Sequence, residues 1–276
     1  MVEFAPGTVW LIGAGPGDPD LLTRKAERLI GAADVVFVDA LVGEGVRALI
    51  PSRAEQVFVG KRSGRHSKSQ ESINALLQAA ALDGKRVARL KGGDPSVFGR
   101  SAEEMAALRA VGVPVYVCPG VTAASAAAAS LGVSLTARGT ANRLQFVTAH
   151  ARADASLDLD WTALADPQAT LAIYMGKAAA PAVRAALMAH GLSGATPVAV
   201  VENASLPDER RLSTRLDLLP LAVRALGDGP AVILVGTAVA PLPCVHTEVG
   251  AGLIGCGISR RPMAPVWPRA KDSASF

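Results

Sequence analysis

Val87-Ala88-Arg89-Leu90-Lys91-Gly92-Gly93-Asp94-Pro95-Ser96-Val97-Phe98-Gly99-Arg100 is a largely apolar run that stops at two glycines, an acid and a proline. That order predicts a strand ending in a tight loop. Gly92 and Gly93 permit positive φ or the close approach of a ligand to the backbone. Asp94 can bond its own turn, and Pro95 fixes φ and stops the strand. A second loop of the same chemistry, Gly13-Ala14-Gly15-Pro16-Gly17-Asp18-Pro19, directly follows another apolar run, Thr8 to Ile12. In open α/β sheets ligands bind at the carboxyl ends of strands. Two such ends therefore predict one binding site.

The rest of the chain falls into line around these two strands. A helix is expected from about Asp20 to Gly31, and strands at Asp34 to Asp39 and Glu55 to Val59. Ser67 to Gln70 and Ser101 to Glu104 fit capping boxes, opening helices that run through Leu82 and to Val111. Pro114 marks Val113 to Val117 as a strand near a sheet edge. After an alanine-rich helix, Ala123 to Leu131, strands are expected at Leu144 to Thr148, Ala169 to Tyr174 and Pro197 to Val201. Helices are expected at Pro181 to His190 and Leu216 to Leu226, and Ala231 to Gly236 closes the sheet. Alternating strands and helices imply α/β architecture with a mostly parallel sheet. The expected organisation is two α/β domains, 1–119 and 120–240, with mostly parallel or mixed sheets and a cleft between them, then an extended or disordered tail, 241–276.

Composition narrows the function. Of 276 residues, 50% are hydrophobic and 19% charged, which supports a sizeable core. No stretch approaches the roughly 20 apolar residues of a membrane helix, so no membrane partner is expected. The N-terminus has neither the basic nor the long apolar region of a signal peptide. The 3 cysteines, Cys118, Cys244 and Cys256, suit a reducing cytoplasm. They lack CxxC spacing, and His66, His150, His190 and His246 lack ligand spacing, so no metal is expected. A net charge of +4 with 4% aromatics is no nucleic-acid signature. The cations do gather at Lys61 to His66 and at Arg89, Lys91 and Arg100, which suits a small, multiply anionic ligand.

Loop or polar chemistry stands at five strand ends: Gly13 to Asp18, Asp39, Lys61, Gly92 to Asp94, and Met175-Gly176. A nicotinamide-dependent oxidoreductase is the rival reading, since Asp39 sits about 20 residues beyond a glycine-rich loop. The third glycine comes one position early for that fingerprint. Asp18 then puts a negative charge where a phosphate would sit.

Seven segments carry a more specific signal. GAGPGDPDLLT (Gly13 to Thr23), VDALV (Val38 to Val42), GKRSGRHS (Gly60 to Ser67), RLKGGDPSVFGR (Arg89 to Arg100), PGVTAASA (Pro119 to Ala126), YMGK (Tyr174 to Lys177) and VEN (Val201 to Asn203) occur in this order. Together they resemble the tetrapyrrole methylase family over roughly residues 8 to 240. The resemblance implies two α/β domains with an inter-domain cleft, and a homodimer. It also implies S-adenosylmethionine as cofactor, S-adenosylhomocysteine as product, and methylation of uroporphyrinogen III at C2 and C7 to precorrin-2, for sirohaem or cobalamin synthesis. A related methylase acting on a later precorrin is the alternative.

By position, the resemblance makes Asp39 the proton acceptor and Lys61 the proton donor. Pro16, Gly92, Gly93, Asp94, Val97, Thr122, Ala123, Met175 and Ala204 become the cofactor pocket. Arg62, Lys91, Arg100 and Arg138 are candidate partners of the substrate carboxylates. Methyl transfer is an in-line displacement in which positioning dominates. A carboxylate beside the attacking pyrrole carbon stabilises its developing charge and can take the ring proton. The chain departs from the family at Ala137-Arg138-Gly139, where many relatives carry His-Arg-Asp/Glu, and this bears on the substrate side.

Overall fold

In a computed structural model, residues 4–60, 69–149 and 157–240 are described. The first part alternates β1 (Val9–Gly13), α1 (Arg24–Ala32), β2 (Val35–Val38), α2 (Glu44–Arg47), β3 (Glu55–Phe58), α3 (Gln70–Leu82), β4 (Val87–Lys91), α4 (Ser101–Ala110) and β5 (Val115–Cys118). The five strands form a wholly parallel sheet in the order β3-β2-β4-β1-β5. β1 and β4 lie centrally and are buried along their whole length, because helices cover both faces. One face packs Trp10, Ile12, Val36, Val38, Ala88 and Leu90 against Leu29 and Ile30 of α1. The other packs Val9, Leu11, Val35, Phe37 and Val87 against Ile73 and Leu77 of α3 and Leu108 of α4. Each fully buried aliphatic side chain stabilises by about 1.5–3 kcal/mol. Strand alternation puts Arg89 and Lys91 on the Val87 face, under α3 and α4.

Helix α5 (Ala123–Leu131) leads to a second sheet of β6 (Arg143–Thr148), β7 (Ala169–Tyr174), β8 (Pro197–Glu202), β9 (Arg210–Arg215) and β10 (Ala231–Val235). Helices α6 (Trp161–Leu164), α7 (Ala180–Ala189) and α8 (Leu219–Arg224) connect its strands. The order is β6-β7-β10-β8-β9, with only β6 and β7 parallel. On one face Leu171, Ile173, Val198, Val200 and Ile233 meet Val183 and Leu187 of α7. On the other, Ala172, Ala199, Val201, Val232 and Leu234 meet Ala124, Ala126 and Ala127 of α5, whose small side chains allow close packing. Because β10 is antiparallel to both β7 and β8, those two strands run the same way. Their C-terminal ends, at Met175 and Asn203, therefore share one side of the sheet.

The α/β class and mixed sheets agree with the sequence reading, and β5 is an edge strand as Pro114 indicated. Several details differ. α1 starts at Arg24, after a single 3-10 turn over Pro19–Leu21, with Thr23 as its cap. α3 is capped by Ser69 rather than Ser67. α4 is preceded by Arg100 in the left-handed region at φ 56, so Ser101 and Glu104 form no capping box. The 231–236 strand lies inside the second sheet rather than closing it, because Ala-Val-Ile-Leu-Val is apolar on both faces. The edge strand β9 has no counterpart in the sequence reading. Its Arg-Arg-Leu-Ser-Thr-Arg pattern is too polar to register as a strand, and such charge protects an edge. Among the described residues no helix is long and apolar enough to cross a membrane.

Candidate active site

Three loops at the C-terminal ends of β1, β4 and β5 pack backbone to backbone. A Cβ on Gly13 would stand 2.5 Å from Gly120 N and 2.8 Å from Gly93 O, so only glycine fits. Gly15 and Gly93 exchange backbone hydrogen bonds of 3.2 and 2.7 Å, and Ala14 N–H donates to Lys91 O at 2.8 Å. Asp94 ties the group together. Its Oδ1 accepts from Ser96 N–H at 2.7 Å and from the Ser96 hydroxyl, and its Oδ2 accepts from Gly120 N–H at 2.9 Å. Gly93 has φ 69, and a Cβ there would meet nothing nearer than 3.9 Å. The nearest atoms, at ordinary contact distance, belong to the Val121–Ala123 backbone at the start of α5.

The second sheet supplies the opposite wall. The Tyr174 hydroxyl lies 2.6 Å from Thr122 Oγ1 and accepts from Ala124 N–H at 3.1 Å, pinning β7 to the start of α5. Phe98 packs against Tyr174 with ring centroids 5.1 Å apart and the rings tilted by 55°. Asp18 N–H donates to Ser205 Oγ at 3.0 Å, joining the first loop to the turn after β8. The described non-glycine residues with positive φ are Phe98, Arg100, Met175, Asn203 and Ser205. All five stand in the loops after β4, β7 and β8, where the two sheets meet. Such strain, about 1–3 kcal/mol per residue, persists where surroundings enforce it, often at functional sites.

Pro16, Gly92, Gly93, Asp94, Thr122 and Ala123 are thus brought together, with Val97 on the same loop as Asp94. Met175, 49% exposed, and the buried Ala204 come from the second sheet. Asp39, at the end of β2, donates its N–H to Leu90 O and receives Arg89 NH2 on Oδ1 at 3.3 Å. Lys61 and Arg62 lie outside the described residues. Arg100 is exposed and pairs with Glu103 at 2.7 Å, and Arg138 is exposed in the turn between Ala137 and Ala141.

Lys91 departs from the expectation of a substrate contact. It is 5% exposed, and its ammonium binds Glu104 Oε2 at 2.7 Å. Burial, and then the neighbouring Arg89 guanidinium, push Lys91 below its ordinary pKa against the pull of Glu104. The sequence reading missed Glu104, Tyr174 and Ser205. The signal for Glu104 is the pair Arg89 and Lys91 on one face of a buried strand, which requires an acid nearby. A second buried acid, Glu202 at the end of β8, binds Lys177 Nζ at 2.7 Å and accepts from Gly227 N–H at 2.8 Å. A small cavity lined by Asp166, Leu192, Thr196 and Gly236 lies where β7 begins and β10 ends, away from these loops. It gathers no comparable chemistry.

The first loop also bears on the rival reading. Thr23 Oγ1 accepts from Ala26 N–H at 3.1 Å, so the N-terminus of α1 is closed by its own side chain and stands after Pro19–Leu21. A pyrophosphate would need that terminus at the glycines.

The family model described as Tetrapyrrole (Corrin/Porphyrin) Methylases matches residues 8–220. The uroporphyrinogen-III C-methyltransferase of Paracoccus denitrificans is 49% identical over 262 residues, covering 95% of this chain and 88% of that protein. The siroheme synthase of Gluconacetobacter diazotrophicus is 50% identical over 234 residues, covering 84% of this chain. This chain spans about half the length of that relative (50%). The solved uroporphyrin-III C-methyl transferase of Thermus thermophilus, complexed with S-adenyl homocysteine, superposes with a TM-score of 0.72 at 41% identity. That match covers 84% of this chain and 98% of the solved one.

Proposed function

Because the chain belongs to the tetrapyrrole (corrin/porphyrin) methylases, we propose that it transfers methyl groups from S-adenosylmethionine to C2 and C7 of uroporphyrinogen III. The products are precorrin-2 and two molecules of S-adenosylhomocysteine. The observation that carries this reading is the meeting of the Gly15 and Gly93 backbones, tied through Asp94 to Gly120 beside the start of α5. It offers backbone groups, the start of α5 and a carboxylate. That fits a cofactor with an amino-acid end and a cationic sulfur.

When bound, the cofactor supplies a methyl group on that cationic sulfur. Gly92, Gly93, Asp94, Thr122 and Ala123 hold its amino-acid end, and Pro16, Val97, Met175 and Ala204 wall it. Asp39 stands beside the pyrrole carbon and stabilises the positive charge that grows as the new carbon–carbon bond forms. With Oδ1 engaged by Arg89, Oδ2 takes the proton whose loss restores the neutral ring. Lys61 acts as proton donor. Arg62, Arg100 and Arg138 meet the substrate carboxylates. The homodimer and a cytoplasmic location belong to the same proposal and rest on the family resemblance.

The test is anaerobic incubation with S-adenosylmethionine and uroporphyrinogen III, then mass spectrometry of the tetrapyrrole. Two added methyl groups are expected. No added methyl, with S-adenosylhomocysteine still bound, would overturn the substrate and leave the cofactor site standing.

A further inference from the structure

Resting on the reading of Asp39 as proton acceptor, we propose that Glu104 is a positioning residue for that carboxylate, acting through the Arg89 guanidinium. Glu104 is 0% exposed and Arg89 3%. Glu104 Oε1 accepts from Arg89 Nε at 3.2 Å and from Gln70 Nε2 at 3.3 Å, while Oε2 takes Lys91. Arg89 NH1 donates to Leu90 O at 2.9 Å. Two edges of a planar, rigid group are thereby fixed, and the third edge, NH2, is aimed at Asp39.

The charges explain why the acid is there. Arg89 and Lys91 are neighbours on one face of a buried strand, and Asp39 is the other carboxylate within reach of Arg89. Glu104 neutralises Lys91 and takes the Nε edge of Arg89. What remains for Asp39 is one contact to Oδ1 at 3.3 Å, which is not a two-point fork. Without Glu104 both cations would draw Asp39 inward and occupy both of its oxygens. Two buried cations require an acid, but a whole buried ion-pair set is often replaceable by apolar residues without loss of stability, so stability alone does not account for the set of Arg89, Lys91 and Glu104.

A double-mutant cycle on turnover of uroporphyrinogen III tests this. Glu104→Gln and Arg89→Lys are each made alone and with Asp39→Asn. Each variant is first shown to unfold cooperatively and to bind S-adenosylhomocysteine. Arg89→Lys keeps the formal charge but cannot span both carboxylates, so it covers the case in which Glu104→Gln does not fold. Asp39→Asn is expected to lower kcat about 100-fold. Glu104→Gln and Arg89→Lys are expected to lower kcat about tenfold with KM little changed, and to have no further effect in the Asp39→Asn background. If they lower kcat by the same factor in both backgrounds, or in neither, Glu104 does not act through Asp39 while the Asp39 reading stands. If Asp39→Asn turns over normally, the Asp39 reading falls and this inference with it.

Discussion

Glu104, on a helix behind the first sheet, and Glu202, at the end of a strand of the second, are both buried and each pairs with two cations, yet their networks lead to different places. Glu104 on α4 meets side chains, namely Arg89, Lys91 and Gln70, and the chain of contacts ends at Asp39. Glu202 at the end of β8 also pairs with two cations, Lys177 at 2.7 Å and Arg210 at 3.6 Å, but its network runs on into loop backbone. It accepts from Gly227 N–H, and its partner Lys177 donates on to Gly227 O and Gly229 O. Burial would raise the Glu202 pKa, but the bond from Lys177 and the Gly227 N–H hold it below its ordinary value. Lys177 lies two residues past Met175, and Glu202 two residues before Ala204. A wholly parallel sheet sends all its C-terminal ends to one side, so its buried acid can serve a side chain at those ends. The mixed sheet must also fold hairpins over the same rim, and its buried acid anchors the loops.

The contrast can be broken by comparing what each acid supports. Glu202→Gln removes the buried charge that Lys177 and Arg210 share, while Lys177 keeps Gly227 O and Gly229 O, and is expected to lower unfolding free energy by about 3 kcal/mol, measured by urea denaturation. It should also raise the Kd for S-adenosylhomocysteine while leaving kcat at saturation nearly unchanged. A fall in kcat with unchanged cofactor affinity would put the two glutamates in the same role.

Asp94→Ala removes the acceptor for Ser96 N–H, the Ser96 hydroxyl and Gly120 N–H. Three lost charge-assisted bonds in a partly exposed loop predict about 2 kcal/mol weaker cofactor binding, roughly 30-fold in Kd by calorimetry. Unaltered affinity would mean that the glycine contacts alone shape the loop.

The smallest effect lies outside the site. Asp34 receives both the backbone N–H and the guanidinium of Arg86, whose bonds hold its pKa down to about 2 from 3.8. A lowered carboxylate pKa stabilises the fold fully above 3.8, and that stability is lost as pH falls toward 2. Both side chains are over a third exposed (38%), so screening leaves about 0.5–1 kcal/mol. Asp34→Asn should therefore flatten the acid limb of the stability curve by that amount and leave stability at pH 5 to 7 lower by the same amount.

Much of this was legible in the sequence, for identifiable reasons. Helix α5 and strand β7 have the boundaries the pattern predicts, because continuous apolar runs bounded by turn residues leave little choice. The glycine loops after β1 and β4 were legible because close backbone contact admits no other residue. Glu104 was not, since Ser-x-x-Glu at a helix start fits a local cap as well as a tertiary ion pair. Only the fold shows that Arg89 and Lys91 lie beneath it. The start of α1 was misplaced because Pro19 opens a 3-10 turn, which shares its local signals with an α-helix. The position of β10 depends on pairing partners far along the chain, which no local pattern encodes. Asp39 as a working acid came from the family resemblance, since a lone acid at a strand end has no distinguishing local signal.

A crystal structure of this chain with S-adenosylhomocysteine would test the account most directly. The account expects the amino-acid end over Gly93, beside Asp94 and the start of α5, with Met175 and Ala204 against the rest. A ligand lying along Gly13 to Pro19 with its polar end at the start of α1, or one making no contact with the loops after β7 and β8, would contradict it.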